Sequence, residues 1–175
     1  IPLTTPEGVF DLREFTLISG TDTYMATGSY DKGERAVFIF NSDFSSFTKV
    51  DIEIPEEVAS TDEKHSSCHI NSDGSFIVLY FLVDHGGIKI PEVVDENFDY
   101  EGYNNNAVTS YMICNYDNDG KLKRSSKING LEIYHDEYNN LPIRGSASFG
   151  DGSLLALLEN FTVLRFNPDG TFIEE

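Results

Sequence analysis

Histidines and carboxylates are the side chains of this sequence that could support acid–base or metal chemistry. An imidazole serves as a general base or a metal ligand when a second group orients it. The sequence contains no serine-hydrolase, zinc-protease or nucleotide-binding motif. Adjacent carboxylates such as Glu56 and Glu57 define no glycosidase pair without a known separation. We therefore assign no catalytic residue. The four histidines, which fall in three separate segments, are His65, His69, His85 and His135.

The segment Asn115–Gly120 carries oxygen-bearing side chains at alternate positions before a glycine. The opening of a calcium-binding loop has the same spacing. The twelfth position of that pattern is Ser126, where such loops use a bidentate glutamate. A hairpin turn explains the same residues, so we predict neither a metal site nor a cofactor.

Recognition by aromatic rings beside carboxylates and amides is the second candidate chemistry. Such groups suit sugars, peptides or cationic ligands. They concentrate in Asp84–Asn106 and Gly130–Pro142, and the first of these segments is 23 residues long. Loops of that length are usually functional or disordered. The predicted ligand-binding residues are Phe98, Tyr100, Tyr103, Tyr134, His135 and Tyr138.

Short runs rich in Val, Ile, Phe, Tyr and Thr must position these side chains. These residue types favour a pleated surface, and no long stretch shows helical spacing. We therefore predict very little helix. The predicted strands, in three units of four, are Phe10–Ser19, Thr23–Ser29, Arg35–Asn41 and Thr48–Ile54; Ser67–Asn71, Ser75–Val83, Ala107–Asn115 and Leu122–Ile128; and Arg144–Phe149, Ser153–Leu158, Thr162–Phe166 and Thr171–Glu174.

Two phrases recur along the chain. In the first, an apolar run stops at an Asn that opens a polar turn, as in Phe38–Asp43, Met112–Gly120 and Val163–Gly170. The second phrase, in Asn71–Leu79 and Phe149–Leu157, is a tight Asp-Gly turn followed by an apolar run. Repeated hairpins of this kind indicate a repeat architecture.

The repeats predict an all-β chain made of three consecutive four-stranded antiparallel meanders. Such meanders form the blades of a β-propeller, here a partial or open one. A β-sandwich is the alternative fold. We predict a single domain over residues 1–175, with blade-like units at about 9–55, 66–129 and 143–175. Because each repeat buries its faces against a neighbour, three units should leave two outer faces bare. A homodimer or further blades in a longer chain would cover them.

Strand polarity sorts the connections between strands. In a meander, the first and third turns share one end of the sheet, and the second turn and the links between units share the other. The tight Asp-Gly turns all fall at the first end. The second end receives four long segments, Tyr30–Glu34, Pro55–Ser66, Asp84–Asn106 and Gly130–Pro142. The sequence therefore predicts one loop-rich, acidic and aromatic end that carries the ligand-binding residues.

Composition restricts the partners. There are 30 acidic and 12 basic residues, which gives a net charge of −18. Nucleic-acid binding needs clustered basic residues, so we exclude that partner. No apolar run reaches the roughly 18 residues of a membrane-spanning segment. Cys68 and Cys114 should lie on strands separated by one other strand, about 9–10 Å apart, which is too far for a disulfide. We predict two buried thiols.

The segments Tyr111–Leu122 and Val163–Thr171 resemble propeller repeats in exported proteins of clostridia-like gut bacteria. In particular, the chain resembles a propeller-type region found beside solute-binding modules in some of their surface lipoproteins. The segments Ile88–Glu92 and Asn97–Tyr103 add to this resemblance. The resemblance implies an extracytoplasmic, non-enzymatic role at the bacterial cell surface, and it assigns no functional residue.

Three functional hypotheses follow. The first is a non-catalytic extracytoplasmic binding or interaction module that uses the acidic and aromatic end to hold a small-molecule, glycan or protein ligand. The second is a fragment of a propeller hydrolase or lyase. The third is a structural spacer of a surface protein. A binding module should show exposed aromatic side chains, and an enzyme should show converging histidines and carboxylates in a cleft.

Overall fold

The computed structural model describes residues 2–5, 8–30, 35–61, 63–84, 108–129, 143–149, 153–158, 163–167 and 172–173. These residues form three antiparallel sheets, one of them curled into a half-barrel, and one short helix. The first sheet contains β1 (Pro2–Thr5), β2 (Gly8–Leu17), β3 (Tyr24–Tyr30), β4 (Arg35–Phe40) and β5 (Phe47–Lys49). The helix is α1 (Glu56–Ser60). The second sheet contains β6 (Glu63–Ile70), β7 (Phe76–Asp84), β8 (Val108–Tyr116) and β9 (Leu122–Asn129). The third sheet contains β10 (Ile143–Ser148), β11 (Leu154–Leu158), β12 (Val163–Phe166) and β13 (Phe172–Ile173).

Each sheet is a meander whose strands pair in chain order. The predicted all-β class and the three meanders are therefore confirmed. The first meander has an additional edge strand, β1, which the sequence did not predict. Pro2 begins this strand. Proline cannot donate to a strand ladder, so it occurs on edge strands and at the first residue of a strand.

One predicted strand was too long. The sequence predicted a strand over Thr48–Ile54, but β5 ends at Lys49. After Val50, whose N–H still donates to the Val37 carbonyl, the chain leaves the first sheet. The N–H of Glu53 then donates to the carbonyl of Gly120 in the second sheet. Val50 and Ile52 pack in the cluster between the two sheets, although no strand ladder continues there.

The three sheets repeat position by position. We call the two faces of each sheet the front face and the back face. The back face of the first sheet, with Met25 and Val37, packs against the front face of the second, with Val78 and Cys114. The back face of the second sheet packs in the same way against the front face of the third. The residues at that second interface include Ile77, Leu79, Ile113, Ala156, Leu164 and Phe166.

The fully apolar strand β7 explains why the second sheet lies in the middle. Its residues from Phe76 to Val83 are all buried, because alternate side chains enter the two different interfaces. Removal of apolar surface from water contributes roughly 25 cal/mol of folding free energy for each Å². Burial of both faces of β7 therefore stabilises the stack. The strand predicted over Ser75–Val83 is confirmed as β7.

The front face of the first sheet is filled by its own aromatic rings. The rings of Phe10 on β2 and Phe38 on β4 meet over β3, with centroids 4.7 Å apart. They can meet because β3 offers only Ala26 and Gly28 beneath them. A β-carbon on Gly28 would lie 2.8 Å from the Phe10 ring and would overlap the carbonyl oxygen of Asp11.

Candidate functional site

The predicted ligand-binding residues belong to two segments that the structure does not describe. Phe98, Tyr100 and Tyr103 lie between 85 and 107, and Tyr134, His135 and Tyr138 lie between 130 and 142. Their role stays a prediction. The strands from which both segments start are described, and each segment leaves the end of the sheets opposite to the tight turns.

The tight turns do lie together, at an end that we call the turn end. The N–H of Ser19, in the turn after β2, donates to the carbonyl of Ser72, in the turn after β6, at 2.7 Å. Gly74 and Gly120 have the positive φ values of 87° and 81° that such turns require. Since the first and third turns of the described meanders meet here, the sorting of the connections by strand polarity is confirmed for the first two sheets.

The acidic side chains of the turn end stabilise the turns themselves. The Asp73 carboxylate accepts a hydrogen bond from the Ser75 N–H at 2.9 Å, and the Asp43 carboxylate accepts the equivalent bond from Ser45. Hydrogen bonding from Ser45 lowers the pKa of Asp43. These bonds are typical of Asx turns, in which a side chain replaces a backbone acceptor.

The segment that matched the opening of a calcium loop is a hairpin turn. Asn115 lies within β8, two residues before the turn, which Asp117 opens. The Asp117 carboxylate accepts hydrogen bonds from the N–H groups of Asp119 and Lys121, and it lies 2.7 Å from the Lys123 ammonium. The hydrogen bond from Lys123 lowers the pKa of Asp117. No group of three or more His, Cys, Asp or Glu side chains within the described ranges could hold a metal ion.

The same observation corrects the alignment of the repeated phrase. By strand pairing, Phe40, Tyr116 and Phe166 occupy equivalent positions at the ends of β4, β8 and β12. The residues that follow them are Asn41, Asp117 and Asn167. The prediction that Asn115 opens the second turn was wrong by two residues, because Asn and Asp open such turns equally well and only the strand register separates them.

Of the four histidines, His69 has a described side-chain contact with a carboxylate. Its Nδ1 lies 3.0 Å from Glu14 Oε1, and both side chains are about a quarter exposed. The N–H of Ile70 donates to the other oxygen of Glu14 at 3.3 Å. A bulge in β2 between Leu12 and Glu14 brings the carboxylate there. Glu14 thus joins the first sheet to β6 and also covers part of its edge, as exposed strand edges require.

The backbone of His65 pairs with Phe81 within the second sheet, and His85 and His135 lie outside the described residues. A carboxylate beside one nitrogen of an imidazole can orient the other nitrogen for proton transfer. Glu14 could not be identified as the partner from the sequence, because only the β-bulge brings it to the edge of another sheet.

A second cluster of reactive side-chain types lies between the first and second sheets. Cys68, Val78 and Cys114 pair directly across three strands, as the predicted strand order requires, and both cysteines are thiols. Cys114 is buried, but Cys68 is only half-buried, so the prediction of two buried thiols was wrong for Cys68. Burial raises the pKa of Cys114 to about 12. A thiol that stays protonated is neither a nucleophile nor a metal ligand at neutral pH.

Two tyrosines share this buried region. Burial raises the pKa of Tyr80 to about 12, and it raises the pKa of Tyr116 further. The Tyr116 ring stacks on Phe76 with centroids 5.1 Å apart. Its hydroxyl is buried without a hydrogen-bond partner among the described residues. These features belong to a packed interior rather than to a reactive site.

Exposed apolar side chains mark the outer flanks of the stack. On the front face of the first sheet and its adjoining turn, Phe15, Leu17 and Phe44 are 44%, 51% and 50% exposed. On the third sheet, Val163 is 57% exposed, and Phe149, which follows β10, is 47% exposed. The expectation of bare outer faces is therefore met at the third sheet and only in part at the first, where its own rings cover most of the front face.

Comparison with protein-family models, with curated proteins and with solved structures finds no match for this chain. The described residues also include no helix with the length and apolar character needed to cross a membrane.

Proposed function

We propose that this chain is a non-catalytic, propeller-type binding or interaction module that works outside the cytoplasm. One observation carries the proposal. Three meanders stack in series: β6 of the second sheet lies near β10 of the third sheet on one side and near β2, β3 and β4 of the first sheet on the other. A series of meanders stacked face to face supports an arrangement of propeller blades, whereas a sandwich has only two facing sheets.

The arrangement supports a division of labour between the two ends of the stack. At the turn end, short turns bond to one another and use their carboxylates internally. At the other end, the strands continue into the long acidic and aromatic segments. Binding residues concentrate on loops that a rigid scaffold positions. We call this second end, opposite to the turn end, the loop end. We therefore place the ligand site at the loop end, where it would hold a small molecule, a glycan or a protein.

The described side chains give little support for catalysis. The Cys114 thiol is kept protonated by burial. His69 and Glu14 use their contact to join two sheets. The same pair is nevertheless the one observation that favours a propeller hydrolase or lyase. If the alternative holds, the unaltered protein should cleave a chromogenic ester or glycoside, and His69→Gln should abolish that turnover. Under the binding proposal, we expect the unaltered protein to cleave neither substrate.

The binding proposal is tested with the purified chain on glycan and peptide arrays, followed by titration calorimetry of any ligand found. The double variant Tyr134→Ala/Tyr138→Ala should weaken binding about tenfold or more, since aromatic contacts to a ligand are commonly worth over 1 kcal/mol. The control is Ile54→Ser, which removes a side chain that is 54% exposed and lies away from the loop end. Equal affinity of both variants would contradict the proposed site.

The proposed location rests on the resemblance to exported proteins and on the net charge of −18. A high net charge keeps a surface protein soluble and dispersed. Protease treatment of intact cells that express the natural protein should digest this region. Protection of the region until the cells are lysed would contradict an extracytoplasmic role.

A further inference from the structure

We propose that two copies of this chain associate, with the back face of the third sheet of one copy packed on the front face of the first sheet of the other. The proposal rests on the propeller-type stacking described above and names a partner that the ligand site does not involve. Its basis is the repetition of one interface within the chain. The back face of the first sheet packs on the front face of the second, and the back face of the second packs on the front face of the third.

The back face of the third sheet repeats the chemistry of two faces that are already covered. By strand pairing, Val163 is equivalent to Val37 in the first sheet and to Ile113 in the second. Val37 is 1% exposed and Ile113 is 4% exposed, whereas Val163 is 57% exposed. Leu155 and Leu157 stand on the same face as Val163, and both are half-buried. These three side chains are apolar like their equivalents, while the exposed Arg165 on the same face takes the place of Ile39, and no sheet of the described residues covers the face.

Phe149 extends this comparison to the start of the tight turn. Its N–H donates to the carbonyl of Ser153 at 2.9 Å, and the N–H of Ile18 makes the corresponding bond to Thr23, also at 2.9 Å. Ile18 is 9% exposed and packs into the interface between the first and second sheets. Phe149 holds the same place in the third sheet and is 47% exposed. It is a side chain shaped to enter a neighbouring sheet.

The front face of the first sheet supplies a matching recess near the turn end. At the covered interface, Ile18 shares a cluster with Ile70 and with the stacked rings of Phe76 and Tyr116. The equivalents of those three residues in the first sheet are Leu17, Tyr24 and Phe40. Ile70 is 2% exposed, but Leu17 is 51% exposed. The recess that receives Ile18 in the second sheet is therefore present in the first, exposed at Leu17 and partly filled by the Phe44 ring, which packs on Tyr24 and Phe40.

Phe44 borders this recess in a conformation that a bulky residue rarely adopts. Its φ is 58°, and its ring packs against Phe15, Tyr24 and Phe40 with centroids 5.0–6.1 Å apart. A positive φ at a bulky residue has an energetic cost that the surrounding structure must offset. Even so, the Phe44 side chain is 50% exposed. A strained and exposed ring beside the recess is explained if the ring contacts the Phe149 side of a second copy.

Each copy carries exposed apolar side chains on the back face of its third sheet and on the turn-end part of the front face of its first sheet, so two copies can form two identical contacts. A head-to-tail contact that closes after two copies gives a symmetric ring, here of six sheets. Each copy carries a net charge of −18. Two copies therefore repel each other at long range. Because salt screens that repulsion while the contact itself is apolar, association should strengthen as salt is added.

The test is the molar mass of the whole chain by light scattering after size exclusion, at low and high salt. We expect a dimer, with the larger dimer fraction at high salt. Phe149→Ser and Val163→Ser on the third sheet, and Phe44→Asn on the first, should each weaken association about tenfold or more. Asn tolerates the positive φ of Phe44, so that variant removes the ring without new strain. Ile54→Ser is the control and should remain dimeric.

Mixing the variants identifies which faces meet. Phe149→Ser retains an intact first sheet and Phe44→Asn an intact third sheet, so an equimolar mixture should form a heterodimer through one intact contact. Thermal melting of each variant verifies folding, and either third-sheet variant can replace the other if one does not fold. A monomer of the unaltered chain at high salt, or dissociation by the third-sheet variants alone, overturns the proposal. Neither result affects ligand binding at the loop end, so the two proposals fail separately.

Discussion

At the scale of single residues, the structure contrasts two tyrosine hydroxyls in similar apolar surroundings. The hydroxyl of Tyr30 lies 3.1 Å from the hydroxyl of Thr5, within a buried hydrogen bond. The hydroxyl of Tyr116 is buried without a partner among the described residues, although Tyr80 and Cys114 are close enough to affect its pKa. A buried polar group without a partner is destabilising, while one with a partner is slightly stabilising.

This contrast predicts opposite effects of the same substitution. Tyr116→Phe should raise the free energy of unfolding by about 1 kcal/mol, because it removes an unbonded hydroxyl and keeps the ring stacked on Phe76. Tyr30→Phe should lower the free energy of unfolding by about 1 kcal/mol, because the buried bond between the Tyr30 and Thr5 hydroxyls is lost while Thr5 keeps only its bond to the Gly8 carbonyl. Urea denaturation of both variants measures the difference. A loss of stability in Tyr116→Phe would show that this hydroxyl is hydrogen bonded in solution.

At the scale of strands and turns, Gly120 connects the second sheet to the chain that leaves the first. Gly120 has φ 81°, and its carbonyl accepts the Glu53 N–H. A β-carbon at Gly120 would lie 2.8 Å from Val50 Cγ1 and would overlap the carbonyl oxygen of Asp51. Gly20 has a similar φ of 77°, but no atom lies within 4 Å of the place where its β-carbon would stand. The two glycines therefore separate backbone strain from steric overlap.

We expect Gly20→Ala to cost about 1–2 kcal/mol of folding free energy, the usual penalty for a left-handed conformation. Gly120→Ala should cost about 3 kcal/mol or more, because the overlap with Val50 and Asp51 adds to that penalty. Chemical denaturation of both variants measures the two costs. Equal losses would show that the turn does not pack on the departing chain as the structure has it.

Most strands could be predicted from the sequence because their evidence is local. Seven of the eight strands from β2 to β9, all except β5, begin and end within a few residues of the prediction, since β-rich runs stop at residues with turn chemistry. Features that depend on distant parts of the chain could not be predicted. The end of β5 at Lys49 depends on a bond from Glu53 to another sheet. The helix α1 has only five residues, too few for a periodic signal.

The candidate sites differ in the same way. The uncovered faces could be anticipated, because a repeated meander needs a neighbour on each side. Their residues, such as Phe149 and Val163, became evident only when strand pairing aligned the three sheets. The contact of Glu14 with His69 was not predictable, since a β-bulge redirects one side chain of β2 without any sequence pattern of its own.

At the scale of the whole molecule, the stacked interfaces hold several weak acids in their protonated form. Burial raises the pKa of Cys114 from 9.0 to about 12, and it raises the pKa values of Tyr80 and Tyr111 from 10.0 to about 12. In the unfolded chain these groups release their protons near their ordinary pKa values. Between pH 9 and pH 12 the unfolded state therefore binds fewer protons than the folded state, and rising pH favours unfolding.

The chain should consequently lose stability progressively above about pH 9, at pH values where the carboxylates no longer titrate. The free energy of unfolding from urea denaturation at several pH values measures this dependence. Absorbance near 295 nm, which reports tyrosinate, should rise together with the loss of β-structure rather than before it. Cys114→Ala should reduce the slope between pH 9 and pH 10, because it removes the buried acid that titrates first in the unfolded chain. An unchanged slope in that variant would show that the thiol is accessible to solvent in the folded protein. The interface between the first and second sheets would then be accessible to solvent as well.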